Sequence, residues 1–534
     1  MAEYVIGVDC STTATKAAVW DRNGVPVAEG RRRFPVSIPQ AGYHEQDAED
    51  WWRSTAAALR DAADAVGGDK IGAIGLTHQR ESFVCVGEDG RPLRPAILWL
   101  DSRCTEEVDR HGSERVHRIT GKVPDPTPSL YKLHWLREHE PEALDRAARV
   151  VDVHGYLVNR LTGGRAWRTS WASADPMGLV DMARLDWSDE ILADVGLERG
   201  QLCELVPPGS VVGELDADVA REVGLPAGLP LVAGAGDGQA AGLGANVTTS
   251  DRAYLNLGTA IVSGTSSDHY RWARAFRTLA GPIAGTYTLE TLLRSGTYII
   301  SWLVERFTSP GETFDDGSRT PERALQEAAA ELPVGADGLM VLPYWNTVQR
   351  PPWDERDGPG VPAYWDRSAR GVIWGLRGHH TKAHAFRAVL ESLALEQRLH
   401  TTAVEAELGT SIDTYVAMGG GAQNPLWCQI IADATRRPLA VSRTVETSSL
   451  GAAMLAAAAI GWYDGPREAA AAMSAEERRY EPDPDAAARY DAITDAYRQV
   501  YPALAPLAAA LTDALEGGEQ WQRSLSAATT PPST

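Results

Sequence analysis

The sequence predicts an α/β protein made of two domains of one design, and three observations carry that reading. The chain has 534 residues, too many for one ordinary domain and enough for two of roughly 250 residues each. It opens with a strand, a tight polar turn and a second strand, Tyr4 to Trp20 with Ser11-Thr12-Thr13 at the turn, and a related strand, Gly/Thr turn and strand recurs at Ala253 to Gly264. Around these hairpins, strands and helices mix as an α/β architecture requires. A boundary near Thr248-Thr249-Ser250-Asp251 gives a first domain of residues 1–250 and a second of 251–516, and 517–534, which lacks an apolar period, is expected to be a mobile tail.

The elements follow from local chemistry. Asp21-Arg22-Asn23-Gly24 is a second turn. Asp47 caps a helix running through Trp51, Trp52, Ala56 and Leu59 to about Val66, where Gly67-Gly68 stops it; the two tryptophans are read as packing residues. Ile71 to Leu76, Phe83 to Val86 and Ile97 to Leu100 read as strands. In the second half, Lys382 to about Glu407 carries apolar residues at helical spacing, Tyr415 to Met418 is a strand, and Pro425 occupies the first position of a helix reaching Thr435. Leu450 to Ala459 is a small-residue helix suited to close packing. The segment Tyr344 to Gly360, rich in Pro, Gly and aromatics, is expected to be an ordered but irregular insertion.

Composition excludes several classes of function. A net charge of −21 argues against a nucleic-acid or anionic-membrane partner. The five cysteines, Cys10, Cys85, Cys104, Cys203 and Cys428, show no CxxC spacing, so neither a zinc site nor a disulfide framework is expected. The start Met1-Ala2-Glu3 runs into a strand with no basic and apolar leader pattern, and no apolar run reaches the ~20 residues that span a bilayer, so neither a signal peptide nor a membrane span is expected. The expectation is a cytoplasmic protein, and a homodimer is compatible with the sequence. His379, His380 and His384 share a helix start without a neighbouring catalytic carboxylate or cysteine in the sequence, and are read as solvated or capping side chains.

Chemistry concentrates in a few segments. Gly236-Asp237-Gly238-Gln239 follows the apolar Leu231-Val232-Ala233 and precedes a run of small residues. A carboxylate between glycines at a strand end can approach a bound hydroxyl closely, as a general base must; the alternative is that Asp237 caps the helix that follows. In the first hairpin, small hydroxyl residues and backbone N–H groups can wrap phosphate oxygens, Asp9 can hold a metal through water, and Lys16 adds positive charge. The strand Tyr415-Val416-Ala417-Met418, the turn Gly419-Gly420-Gly421-Ala422-Gln423-Asn424 and the following helix offer a backbone on which a flat base or ribose can lie.

With these motifs in this order and spacing, the chain resembles the FGGY carbohydrate kinases, the group that includes glycerol kinase, xylulokinase, ribulokinase and gluconokinase, from about Tyr4 to about Tyr463. The resemblance implies two actin-like, ribonuclease-H-like domains with a nucleotide cleft between them, and ATP and Mg²⁺ as cofactors. It implies an ATP site at Asp9, Ser11, Thr12, Thr13, Lys16, Gly258, Thr259, Gly420, Gly421 and Asn424, with Glu446 and Ser449-Leu450-Gly451-Ala452-Ala453 following in the family pattern. Asp237 takes the place of the general base, and Asp9 and Asp237 that of the metal ligands. The implied substrate set is Arg80, Glu81, Trp99, Thr127, Asp237 and Gln239.

Two indications diverge on the acceptor. Arg80 and Glu81, at the end of the Gly75 to His78 run, supply donors and acceptors for vicinal hydroxyls, and by resemblance they match glycerol kinase rather than the Met-His of xylulokinase. Against this, Leu93 to Arg103 and Ala369-Arg370-Gly371-Val372 look closer to xylulokinase-like members, and Thr127, ahead of Lys132 and Trp135, stands where glycerol kinase places a tyrosine. The reading is a kinase of a small sugar or polyol, with a ketopentose such as xylulose preferred and a glycerol- or erythritol-type polyol as the alternative. A non-kinase actin-like ATPase and a sugar-sensing protein are the rivals from other classes.

Overall fold

In a computed structural model the structure describes residues 2–308, 320–345, 348–349, 365–366 and 368–516. Residues 517–534 and most of the 344–360 insertion lie outside the described residues. Strands β1 (Tyr4–Cys10), β2 (Ala14–Trp20) and β3 (Pro26–Arg33) form an antiparallel meander. Helix α1 (Ala48–Val66) follows, and β4 (Ile71–His78) returns parallel to β1. Later in the chain come β5 (Val211–Glu214) and β6 (Pro230–Val232), which completes the crossover beside β4, then helix α2 (Asp237–Gly244). The sheet order is β5-β6-β4-β1-β2-β3.

A second sheet repeats this plan. Strands β7 (Arg252–Leu257) and β8 (Ile261–Ser267) form the hairpin, and β9 (Arg277–Ala280) and β10 (Tyr287–Leu293) extend it. Helix α3 (Lys382–Leu408) leads to β11 (Thr414–Met418), parallel to β7. Helix α4 (Pro425–Thr435), β12 (Leu439–Ser442), helix α5 (Thr447–Ala459) and β13 (Glu476–Tyr480) complete the half, in the sheet order β9-β10-β8-β7-β11-β12-β13. Superposing the plans matches β1 with β7, β2 with β8, β3 with β10, β4 with β11 and β6 with β12. The duplication expected from the two hairpins therefore extends through both sheets. Each sheet has its own apolar core, one around Val8, Trp51 and Leu59 and the other around Leu255, Phe386 and Trp427.

Local signals set several boundaries. Asp47 caps α1 by accepting from Glu49 N, and Gly67 ends it at φ 87°. Asn424 caps α4 with Pro425 at the first position. Trp51 and Trp52 are buried, as expected of packing residues. One strand is shorter than expected: only Ala96–Ile97 pairs, because the chain turns at Leu98 to Asp101 and leaves Trp99 and Leu100 exposed. His384 caps the start of α3 with Thr381, and its Nε2 lies 3.2 Å from Asp337 Oδ2. Among the described residues no helix is long and apolar enough to cross a membrane.

The two halves are joined by crossed helices. Helix α5 follows a strand of the second sheet but packs on β1 and β4 of the first. It does so closely enough that a Cβ on Gly7 would collide with the Ser449 carbonyl, and one on Gly75 with that of Ala452. Helix α2 leaves the first sheet and packs through Ala241 and Ala245 against Tyr254, Val416 and Met418 of the second half. The two helices touch backbone to backbone, with the Cα of Gly451 against the Ala240 carbonyl and that of Gly244 against Thr447. Gly451→Ala, which drives a methyl into a backbone atom unable to swing away, should cost about 1–3 kcal/mol by overpacking. Urea unfolding checks this; a change within about 0.5 kcal/mol, the range of an indifferent surface substitution, would show that the helices simply separate.

Candidate active site

Asp237 stands at the first position of α2 with Gly236 as the helix N-cap residue, so it does not cap the helix. Its Oδ1 accepts from the N–H of Gly238 at 2.8 Å and pairs with Arg80 Nε at 3.0 Å, and its side chain remains about a third exposed. The flanking glycines serve a purpose not visible in sequence. A Cβ on Gly236 would collide with Arg80 Cγ, and one on Gly238 would sit 3.0 Å from the guanidinium atoms. The two glycines thus form the bed on which the Arg80 side chain lies to reach the carboxylate.

Arg80 follows β4 at its C-terminal end, and Glu81 after it is a buried non-glycine residue with φ 59°, in the left-handed region that costs a side chain energy. The Ser129 hydroxyl donates to the Glu81 carbonyl at 2.9 Å and helps hold this conformation. The Arg80 Nη1 pairs with Glu290 Oε2 at 3.0 Å, and Arg277 Nη1 pairs with Glu81 Oε1 at 2.9 Å. Two ion pairs therefore tie the Arg80-Glu81 pair of the first half to the second half. Glu290 and Arg277 escaped the sequence reading; the available signal was a single carboxylate inside the otherwise uncharged strand Tyr287–Leu293.

Asp9, one residue before the end of β1, lies opposite Lys16 in the hairpin register. It is buried, its Oδ1 has no hydrogen-bond partner, and burial, reinforced by the charge of Asp237, pushes its carboxyl up to about 7 despite the opposing pull of Lys16. An orphaned carboxylate oxygen beside a second carboxylate suits a divalent cation, which would supply the missing positive charge. Lys16 Nζ reaches Glu446 at 2.5 Å, joining β2 to the residue preceding α5.

The other expected residues divide into open and packed groups. Ser11 donates its hydroxyl to the Ala14 carbonyl at 2.9 Å and closes the turn. Thr12 Oγ1 accepts from Trp99 Nε1 at 2.9 Å, bringing the two segments together, and Thr13 is exposed at the tip. Thr259 is exposed and Gly258 half-buried in the matching turn of the second half. Gly420 is exposed, with open space where a Cβ would point, whereas the absence of a side chain at Gly421 makes room for Trp427. Asn424 uses Oδ1 to accept from Trp427 N at 3.0 Å, and its buried Nδ2 has no hydrogen-bond partner. Thr127 donates its hydroxyl to Asp125, which in turn pairs with Arg294 at 2.7 Å. Gln239 is fully buried beneath Asp237, with Nε2 donating to the Ala172 carbonyl at 2.9 Å.

A duplicated α/β fold with a polar hairpin turn opening each half, and a partly exposed carboxylate at a helix start, is the frame of a two-domain phosphotransferase. Residues 4–244 match the FGGY family of carbohydrate kinases, N-terminal domain, and residues 253–460 match the C-terminal domain of the same family. The chain belongs to the FGGY carbohydrate kinases. It is 29% identical over 511 residues to the xylulose kinase of Bacillus subtilis (strain 168), covering 93% of this chain and 97% of that protein. It is 31% identical over 502 residues to the glycerol kinase of Geobacillus kaustophilus (strain HTA426), covering 91% and 96% respectively. Its fold superposes on the crystal structure of xylulose kinase from Rhodospirillum rubrum with a TM-score of 0.84 at 28% identity, covering 95% of this chain and 99% of that one.

Proposed function

We propose that this carbohydrate kinase transfers the terminal phosphoryl group of ATP to a hydroxyl of a small polyol or ketose, with a ketopentose such as xylulose preferred over glycerol. The observation that carries the reading is Asp237 at the start of α2, partly exposed, paired with Arg80 and next to a buried Asp9. Asp237 accepts the proton of the acceptor hydroxyl, whose oxygen forms a bond to the terminal phosphorus as the bond to the ADP oxygen breaks. This base role is worth about 10²–10⁴ in rate. Arg80 and Glu81 orient the acceptor, together with Trp99, Thr127 and Gln239 at the margin of that site.

The turns at Ser11–Thr13 and Gly258–Thr259 donate to phosphate oxygens from opposite halves, Lys16 adds charge, and Gly420, Gly421 and Asn424 carry the adenosine. In a loose, highly charged transition state such donors accomplish most of the catalysis. Asp9, with Asp237, would hold Mg²⁺, which when bound neutralises charge on the phosphates. We divide the chain into domains at residues 250 and 251. The five cysteines are all buried and unpaired as thiols, which suits a reducing cytoplasm.

The test is ADP release with MgATP across glycerol, erythritol, xylulose, ribulose and a ketohexose. A ketopentose is expected to give the highest kcat/KM. A wide preference for glycerol would overturn the reading of Thr127 as space for a longer acceptor, and ATP turnover indifferent to every acceptor would favour an actin-like ATPase.

A further inference from the structure

Four positions line up across the second sheet. Arg277 on β9 faces Glu290 on β10, Glu290 faces Gly264 on β8, and Gly264 faces Tyr254 on β7. Because position 264 has no side chain, the Tyr254 phenol lies over it and donates to Glu290 Oε2 at 2.5 Å. Arg277 meets the same carboxylate at 2.5 Å. Glu290 is thus held between a phenol and two guanidiniums, one of which, Arg80, comes from the other half and also carries the ion pair to Asp237. Arg277 reaches back to Glu81 of the first half, and its side chain keeps some exposure. Nearby, Lys122 is buried against Asp175 at 2.8 Å.

We propose that Arg277 and Glu290 are positioning and specificity-determining residues of the acceptor site, holding Arg80 and Glu81 from the opposite half and restricting the acceptor to an uncharged polyol or ketose. The inference rests on the kinase reading given above. Two carboxylates, Glu81 and Glu290, bracket Arg277, while Asp237 and Glu290 bracket Arg80. A sugar acid would bring its carboxylate among three acidic side chains toward cations already committed to them. A neutral acceptor needs only the remaining donor and acceptor directions of these groups. Because both ion pairs span the halves, each half supplies part of the acceptor site.

The experiment is steady-state kinetics of the full chain on xylulose, erythritol, glycerol and gluconate, for the wild type and for Arg277→Met, Arg277→Lys and Glu290→Gln, with thermal melts to confirm folding. Arg277→Met should raise the acceptor KM about tenfold or more while leaving the KM for MgATP within about twofold, because only acceptor orientation is lost. Arg277→Lys should recover part of that loss, since a single ammonium keeps the charge but not the fork that bridges two carboxylates. Glu290→Gln should impair the acceptor KM in the same sense. A folded Arg277→Met with unchanged acceptor KM overturns the inference and leaves the kinase reading intact, as does an equal rise in the KM for MgATP or a wild type that prefers gluconate. A wild type that releases ADP with none of these acceptors, nor with ribulose or a ketohexose, overturns the kinase reading, and the inference with it.

Discussion

Asp237→Asn is expected to lower kcat by about 10²–10⁴, equivalent to roughly 3–5.5 kcal/mol of transition-state stabilisation, while nucleotide still binds. The asparagine keeps an acceptor for the Gly238 N–H and for Arg80 Nε, so the helix start and the bed of the arginine side chain persist. What disappears is the carboxylate able to take a proton. A second consequence follows from the charge of Asp237, which helps to hold the Asp9 carboxyl high. With that charge removed, Asp9 should ionise at lower pH. Kinetics on a folded variant, with calorimetric titration of a non-hydrolysable ATP analogue, decide the matter. More than about a tenth of the wild-type kcat would be incompatible with a general base, given the size of that effect.

Asp9→Asn should abolish most turnover and yet stabilise the protein in the absence of nucleotide at pH 8. The Asp9 carboxyl sits near 3.8 when unperturbed and at about 7 in the fold, chiefly through burial. Between these values the folded state keeps a proton that the unfolded state has released, so stability falls as pH rises from about 4 to about 7 and stays low above that. A displacement of about three pKa units corresponds to a cost on the order of 4 kcal/mol at pH 8. Asparagine escapes this cost. Its advantage over the wild type should therefore be large at pH 8 and small at pH 5, where the wild-type carboxyl is protonated. Denaturant unfolding at both pH values, without nucleotide or divalent cation, measures it; an equal difference at the two would rule out a buried carboxylate as the cause. Adding Mg²⁺ and nucleotide should stabilise the wild type more than the variant, because binding to the native state raises its stability in proportion to affinity.

Much of the fold was legible in the sequence because the signals are local. The Asp47 cap, Gly67, and Pro425 at a helix start act within a few residues of themselves, and the elements they bound appear where expected. The two hairpins announced the duplication for the same reason. The run Ile97 to Leu100 failed as a strand because apolar character does not distinguish a paired strand from a turn that presents Trp99 to Thr12.

The sequence by itself determined the family, the α/β class, the duplicated hairpins and the Gly-Asp-Gly setting of Asp237, since each depends on residues adjacent in the chain. Only the tertiary structure decided what those glycines are for, that α5 crosses to the first sheet, and that Arg80 and Glu81 are gripped by Glu290 and Arg277, about 200 residues away. The physical reason is that cross-strand register and the desolvation of paired charges exist only once both sheets have formed. A lone Glu in a strand or an Arg at a strand start carries no mark in sequence of the partner that will neutralise it.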